Sequence, residues 1–209
     1  MKKVFAIVLI VCLAFGAAFA AKSGGIKIGA QLGMGFDFSK GTLNSVSTTM
    51  STTNKGFYFS FSGEYEFAEN LAVKAVIGAN LLGEPSITTT IGSNSGTVDG
   101  EKEPGKFALY VGAQYNIEVS KQLDVRVGAG FDMLSGKLYD DEDATNAAMG
   151  LGLESIIAFK LQNNLSLDLG VRYAFYFANT NSDLKDGIKN YDSYSHNNLK
   201  IFAGATYSL

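Results

Sequence analysis

The residue best suited to acid–base chemistry is His196, the only histidine in the chain. It stands in the run Ser193-Tyr194-Ser195-His196-Asn197, beside hydroxyls that an imidazole can activate as nucleophiles. Activation requires the two side chains within hydrogen-bond reach and a third group that orients the base. Neighbouring residues of an extended chain point to opposite faces, so Ser195 is poorly placed for the role. The run falls just ahead of the last predicted strand, and His196 reads as a loop histidine without chemistry. Asp140-Asp141-Glu142-Asp143 offers oxygens to a hard cation such as Ca²⁺, but it lacks the spacing and central glycine of a dedicated loop and reads as a solvated acidic tip. Gly128-Ala129-Gly130 and Gly150-Leu151-Gly152 superficially suggest phosphate-binding loops. Both lie inside period-two segments and open no helix, so that reading fails. The Ser/Thr-rich stretch 42–53 is compatible with an adhesive surface and equally with a low-complexity loop. No catalytic, metal-ligating or cofactor-binding set is expected.

The N-terminus reads as an export signal. Lys2 and Lys3 precede an apolar segment over residues 4–15, and Ala18-Phe19-Ala20 supplies a small-x-small cleavage pattern. Residues 1–20 are therefore expected to be removed, leaving one domain over 21–209. Cys12, the only cysteine, lies inside that apolar segment. It reads as one more small hydrophobe rather than a lipidation site, so the mature chain has no thiol for a disulfide, a metal or a nucleophile. Without Lys2 and Lys3, 15 basic residues face 20 acidic ones, a formal net of −5. An acidic chain of this kind is a poor partner for nucleic acid.

Past the signal no apolar run approaches the ~20 residues of a helical span, although 46% of residues are hydrophobic. The pattern is instead period two, the repeat of a strand with one apolar face. It predicts eight strands at about 26–38, 57–67, 71–82, 107–119, 123–134, 147–161, 165–177 and 199–209. Three connections are short, at 68–70, 120–122 and 162–164. Four are long and polar, at 39–56, 83–106, 135–146 and 178–198. Alternation between tight turns and long loops is the habit of barrels that cross a membrane as strands.

Which face meets lipid follows from three patterns. Nearly all strand glycines share the polar face, Gly63 excepted, and an eight-stranded barrel has an interior barely wide enough for side chains. The same face carries both signs of charge: Lys27, Lys74, Arg126, Arg172 and Lys200 against Glu64, Glu154 and Asp168. These are expected to pair as a lumen network, which removes most of the desolvation penalty. On the apolar face the aromatics gather at the two ends. Phe36, Phe57, Phe59, Phe107, Phe131 and Phe175 form one belt, and Tyr65, Phe67, Tyr115, Phe159 and Tyr207 the other, with aliphatic residues between. Aromatic girdles around an apolar band mark the membrane interfaces. Lipid offers backbone groups no hydrogen bonds, so the first and last strands must pair.

The closing strand, from Asn198-Leu199-Lys200 through Ala203-Gly204-Ala205-Thr206-Tyr207-Ser208-Leu209, alternates and carries an aromatic two residues from the end. In this it resembles the OmpA/OmpX-like outer-membrane β-barrel domain family; Leu209 stands where the family usually has Phe or Trp. The resemblance extends over the mature chain and implies an all-β, eight-stranded antiparallel up-and-down transmembrane β-barrel, with short periplasmic turns and long extracellular loops. It implies residence in the outer membrane, contact with its lipid and with the barrel-assembly machinery, and a monomer. A peptidoglycan-binding module after the last strand is not expected. The leading expectation is a non-enzymatic barrel with a plugged polar lumen, serving envelope structure or surface interaction through its loops toward an unspecified extracellular ligand. A small channel or ligand carrier is the second expectation. The third is a lipid-modifying enzyme centred on His196, because some enzymes of similar fold, lipid A deacylases among them, use a His with a nearby Ser on a strand.

Overall fold

Alternating side chains allow an extended chain to present hydrocarbon to one side and polar groups to the other, and the structure uses this in every long strand. The computed structural model describes residues 25–102, 105–137, 145–162, 164–179 and 192–209. The expected signal segment and the acidic run 140–143 lie outside the described residues. The strands are β1 (Ile26–Leu43), β2 (Thr48–Ala68), β3 (Leu71–Leu82), β4 (Ser86–Ile91), β5 (Asn94–Asp99), β6 (Lys106–Ser120), β7 (Leu123–Lys137), β8 (Thr145–Gln162), β9 (Leu165–Asn179) and β10 (Ser193–Ser208). Each pairing is antiparallel. Neighbours run β1-β10-β9-β8-β7-β6-β3-β2, and β2 pairs back with β1. These eight strands form a closed ring. β4 and β5 stand outside it as a hairpin laid against the upper part of β2.

The two faces are inverted relative to a water-soluble protein. Leu153 and Phe61 are 62% and 67% exposed, whereas Lys200 and Asn198 are 0% exposed. Such a surface is tolerable only against lipid. The inverse arrangement, an eight-stranded barrel with an apolar centre and a charged coat, is excluded.

The short turns are tighter than the three-residue spacing suggests. Residues 69–70 and 121–122 join β2 to β3 and β6 to β7, and β2, β6 and β8 each carry a register shift near their ends, between Glu66 and Ala68, Glu118 and Ser120, and Lys160 and Gln162. The extra residue lets the ladder end in a two-residue connection, as a β-bulge does. Asn70 takes φ 64° there, a left-handed conformation that Asn tolerates better than most residues.

The long connections differ more from expectation. Most of 39–56 is not loop: β1 and β2 continue as a paired ribbon closed by the 3-10 turn Asn44–Val46. The 83–106 connection folds into β4 and β5. β10 begins at Ser193, six residues before the predicted start. Ser and Thr, read as loop formers, are β-branched or small residues that sit well in a strand once a partner is available. The partner is a tertiary feature that periodicity does not reveal.

Some glycines are demanded by close approach of neighbouring strands. A Cβ on Gly150 would run into the carbonyl of Phe175, and one on Gly33 into that of Ile201. At Gly63, the exception on the lipid face, an added Cβ meets nothing within 4 Å. Gly150→Val should therefore destabilise the refolded barrel by about 1–3 kcal/mol through overpacking, while Gly63→Val should leave it unchanged or more stable. Urea titrations in vesicles, read from the heat-modifiable gel shift, check the contrast.

Candidate functional site

Inward side chains of the ring converge on a narrow axis, and their chemistry is set by their burial. Near the periplasmic end, Arg126 Nη1 lies 3.5 Å from Asp168 Oδ2 and 3.8 Å from Glu64 Oε1. Asp168 also accepts from the hydroxyls of Thr206 and Ser166. Glu64 is 3.7 Å from Lys74 Nζ, and Lys74 reaches Glu154 Oε1 at 2.6 Å. Glu154 is shared: the Arg172 guanidinium donates to its second oxygen from Nε at 2.9 Å and also from Nη2. Arg172 lies over the Tyr110 ring, 4.4 Å from its centroid, a cation–π contact inside the barrel. The set binds five strands into one chain of alternating charge.

Toward the extracellular end a second group follows. Lys200 Nζ stands 3.4 Å from Asp132 Oδ2, and the Tyr176 hydroxyl donates to Asp132 Oδ1 at 2.7 Å. His196 packs on Tyr176, with ring centroids 4.8 Å apart, and its Nε2 is 2.6 Å from Asp37 Oδ1. Lys106 Nζ reaches the other oxygen of Asp37 at 2.6 Å.

Of the eight residues expected in the lumen network, Glu64, Lys74, Arg126, Glu154, Asp168, Arg172 and Lys200 lie buried within these groups. Lys27 sits apart at the periplasmic rim, 3.5 Å from Glu66 with both side chains partly exposed. Asp132, Asp37 and Lys106 complete the pairs at the other end. The lumen is not wholly polar. Tyr58, Tyr110, Tyr176 and Phe202 are buried there with Leu134, Ile156 and small alanines. They share strand parity with the charges, the one signal that could have located them. Some inward glycines make room for these rings: a Cβ on Gly170 would strike Phe202, and one on Gly152 would crowd Tyr110. The belt residues Phe57, Phe67, Tyr115, Phe131, Phe159, Phe175 and Tyr207 are exposed on the outer surface. Phe36, Phe59, Tyr65 and Phe107 are half-buried at the same outward parity.

His196 is not a loop residue. It lies in β10, directly opposite Ser39 of β1 and Tyr176 of β9. The aspartate–histidine contact resembles half of a hydrolytic triad, and Ser39 is the hydroxyl nearest in register. No hydrogen bond joins Ser39 to the ring among the described residues, and Lys106 competes for the same carboxylate. Among the described residues no group of three His, Cys, Asp or Glu side chains could hold a metal.

A closed eight-strand ring with hydrocarbon outside and paired ions inside defines a class: membrane-spanning β-barrels of the outer membrane. The chain matches the outer membrane protein beta-barrel domain family over residues 5–206, and it belongs to that family. It is an outer-membrane protein. Among solved structures it is similar to Neisserial surface protein A from Neisseria, with a TM-score of 0.54 and 15% identity over 88% of this chain and 97% of that one. The outer membrane protein OprG from Pseudomonas aeruginosa gives 0.52 and 13%, covering 88% and 96%. The outer membrane protease OmpT from Escherichia coli gives 0.50 and 9%, covering 90% and 99%. At these identities the likeness is one of fold. No curated protein matches the chain in sequence.

Removing one partner of a buried pair strands the other in low dielectric. Glu154→Ala leaves Lys74 and Arg172 facing each other and should cost about 3–5 kcal/mol. Lys27→Ala removes a rim pair and should cost about 0–1 kcal/mol. Denaturant midpoints of the two refolded variants test the ordering.

Proposed function

We propose that this protein is a non-enzymatic, non-conducting outer-membrane barrel that acts in envelope structure or surface interaction through its extracellular segments. The observation that carries the proposal is the side chain of Arg172. It lies across the axis, 1% exposed, fixed to Glu154, stacked on Tyr110 and donating to the Tyr58 hydroxyl at 3.4 Å. A guanidinium so held blocks the path of an ion, and opening it would separate a buried pair. What remains for interaction is the part outside the membrane, where β1, β2, β4 and β5 stand as an extended sheet. Outer-membrane lipid is the environment of the barrel, the assembly machinery its partner during insertion, and a monomer the working form, because the ring leaves no barrel strand edge unpaired.

The expected result in planar bilayers is no steady conductance steps from the refolded chain. Large, persistent steps would remove the proposal. Arg172→Ala should produce small or flickering currents if the plug is responsible for the silence.

A second reading, a small-solute carrier, draws on three side chains. Asn54, Asn80 and Asn198 are buried below the extracellular mouth with neither amide atom hydrogen-bonded to protein. Liposome swelling with small polyols separates the readings: uptake dependent on these asparagines favours a carrier. The enzymatic reading draws on Asp37 and His196 alone. Envelope lipids should be unchanged by His196→Ala or Ser39→Ala, as judged by mass spectrometry of extracted lipid.

A further inference from the structure

Above the lipid-facing belt the wall of the barrel does not end. On β1 the outward positions Phe36 and Phe38 are followed by Lys40 and Thr42. On β2 the outward positions running up from Phe57 are Lys55, Thr53, Ser51 and Thr49. Register carries this face sideways onto the hairpin. One row across the sheet reads Thr42–Thr49–Thr90–Ser95. The next reads Lys40–Ser51–Thr88–Thr97. The row nearest the membrane reads Phe38–Thr53–Ser86–Asp99. Residues opposite one another in antiparallel strands point to the same side, so the result is a grid of hydroxyls. Its spacing is set by the sheet, roughly 4.8 Å between strands and about 6.8 Å along them. Thr88 and Thr97 hydrogen-bond each other across it at 2.9 Å, and Lys40, Lys55, Thr53, Ser95 and Thr97 are exposed.

The opposite face of the same flap differs in kind. Met50, Ile91 and Val98 carry its exposed apolar area, and Ile87 stands directly opposite Val98 and Thr52. That face also bears Ser39, Thr48, Thr52 and Thr89, but interrupted by these apolar residues and by glycine; the unbroken hydroxyl rows and both lysines belong to the outward side. That side is a continuation of the surface that meets lipid.

We propose that this outward Ser/Thr face, with Lys40 and Lys55, is a docking surface for the phosphorylated saccharide headgroups of glycolipid in the surrounding outer leaflet. Two observations select that occupant. The face is continuous with the lipid-facing belt, so headgroups are what stand beside it. Its cations also stand at and just above the aromatic girdle, the level at which an anionic headgroup would meet them. Lys55 is in register with Phe36, at the height of the aromatic girdle, where lysine extends its ammonium toward the interface. Lys40 is one row of the grid above Phe38. The one acid on the grid, Asp99, is at the far edge, two strands beyond β2. Hydroxyls that both donate and accept suit a polyol partner, and many weak contacts on a rigid sheet need little ordering on the protein side. The inference rests on the reading that the extracellular segments are the interacting part, and it is independent of whether the lumen conducts.

The test uses the whole refolded chain in nanodiscs, with a fluorophore on Thr97→Cys or, on the other face of the same strand, Val98→Cys. The expected result is that iodide quenching of the Thr97 probe falls at least twofold in lipopolysaccharide nanodiscs relative to phosphatidylglycerol–phosphatidylcholine nanodiscs, while the Val98 probe changes little. Lys40→Gln with Lys55→Gln should abolish most of that protection without altering the heat-modifiable gel shift. Equal quenching in the two lipids would overturn the proposal. So would protection by soluble, delipidated saccharide added to phospholipid discs at matched concentration, which would make the face a receptor for free glycan. The conductance assay is a separate readout, so loss of one reading leaves the other standing.

Discussion

The whole molecule depends on backbone hydrogen bonding in a medium that supplies none. A strand edge left open in hydrocarbon would carry a row of unmet N–H and C=O groups, each costing several kcal/mol. The pairing of β1 with β10, sustained from Lys27 opposite Ser208 to Thr42 opposite Ser193, removes that edge. Closure with eight strands then fixes the lumen width. Everything inward of the wall follows from that width.

A narrow, buried axis turns charge into a packing problem. Each cation along it must face an anion or an acceptor, and the chain Asp168–Arg126–Glu64–Lys74–Glu154–Arg172 meets this by sharing carboxylates between neighbours. Shared carboxylates restrict several long side chains at once. The rings of Tyr58, Tyr110 and Phe202 fill what the ions leave, and inward glycines on β6, β8 and β9 accommodate those of Tyr110 and Phe202.

Outside the lipid the constraint relaxes and the sheet is free to continue without closing. The ribbon of β1 and β2 extends past the girdle, and β4 with β5 widens it on one side. Among the described residues β5 ends that sheet in an open edge, which water can satisfy and lipid could not. The change in outward residue type along one strand, from Phe57 through Lys55 to Thr53, Ser51 and Thr49, tracks the change of surroundings from hydrocarbon to headgroup to polar layer.

Period-two alternation, the parity of glycine and charge, and the gathering of aromatics at strand ends were all legible in the residues themselves. They determine the number of barrel strands, the face that meets lipid and the compartment, because each reflects a local rule about what a side chain may face. Strand ends and the pairing of ions were not legible. Ser39 to Leu43 and Thr48 to Lys55 look like loop until their mutual pairing is known, and His196 looks idle until Asp37, distant in sequence, stands 2.6 Å away. Tyr58 and Phe202 share the parity of the charges, yet only the closed ring reveals that they share its axis. Parity is a property of one strand; contact across the lumen is a property of eight, and closure alone decides which residues meet.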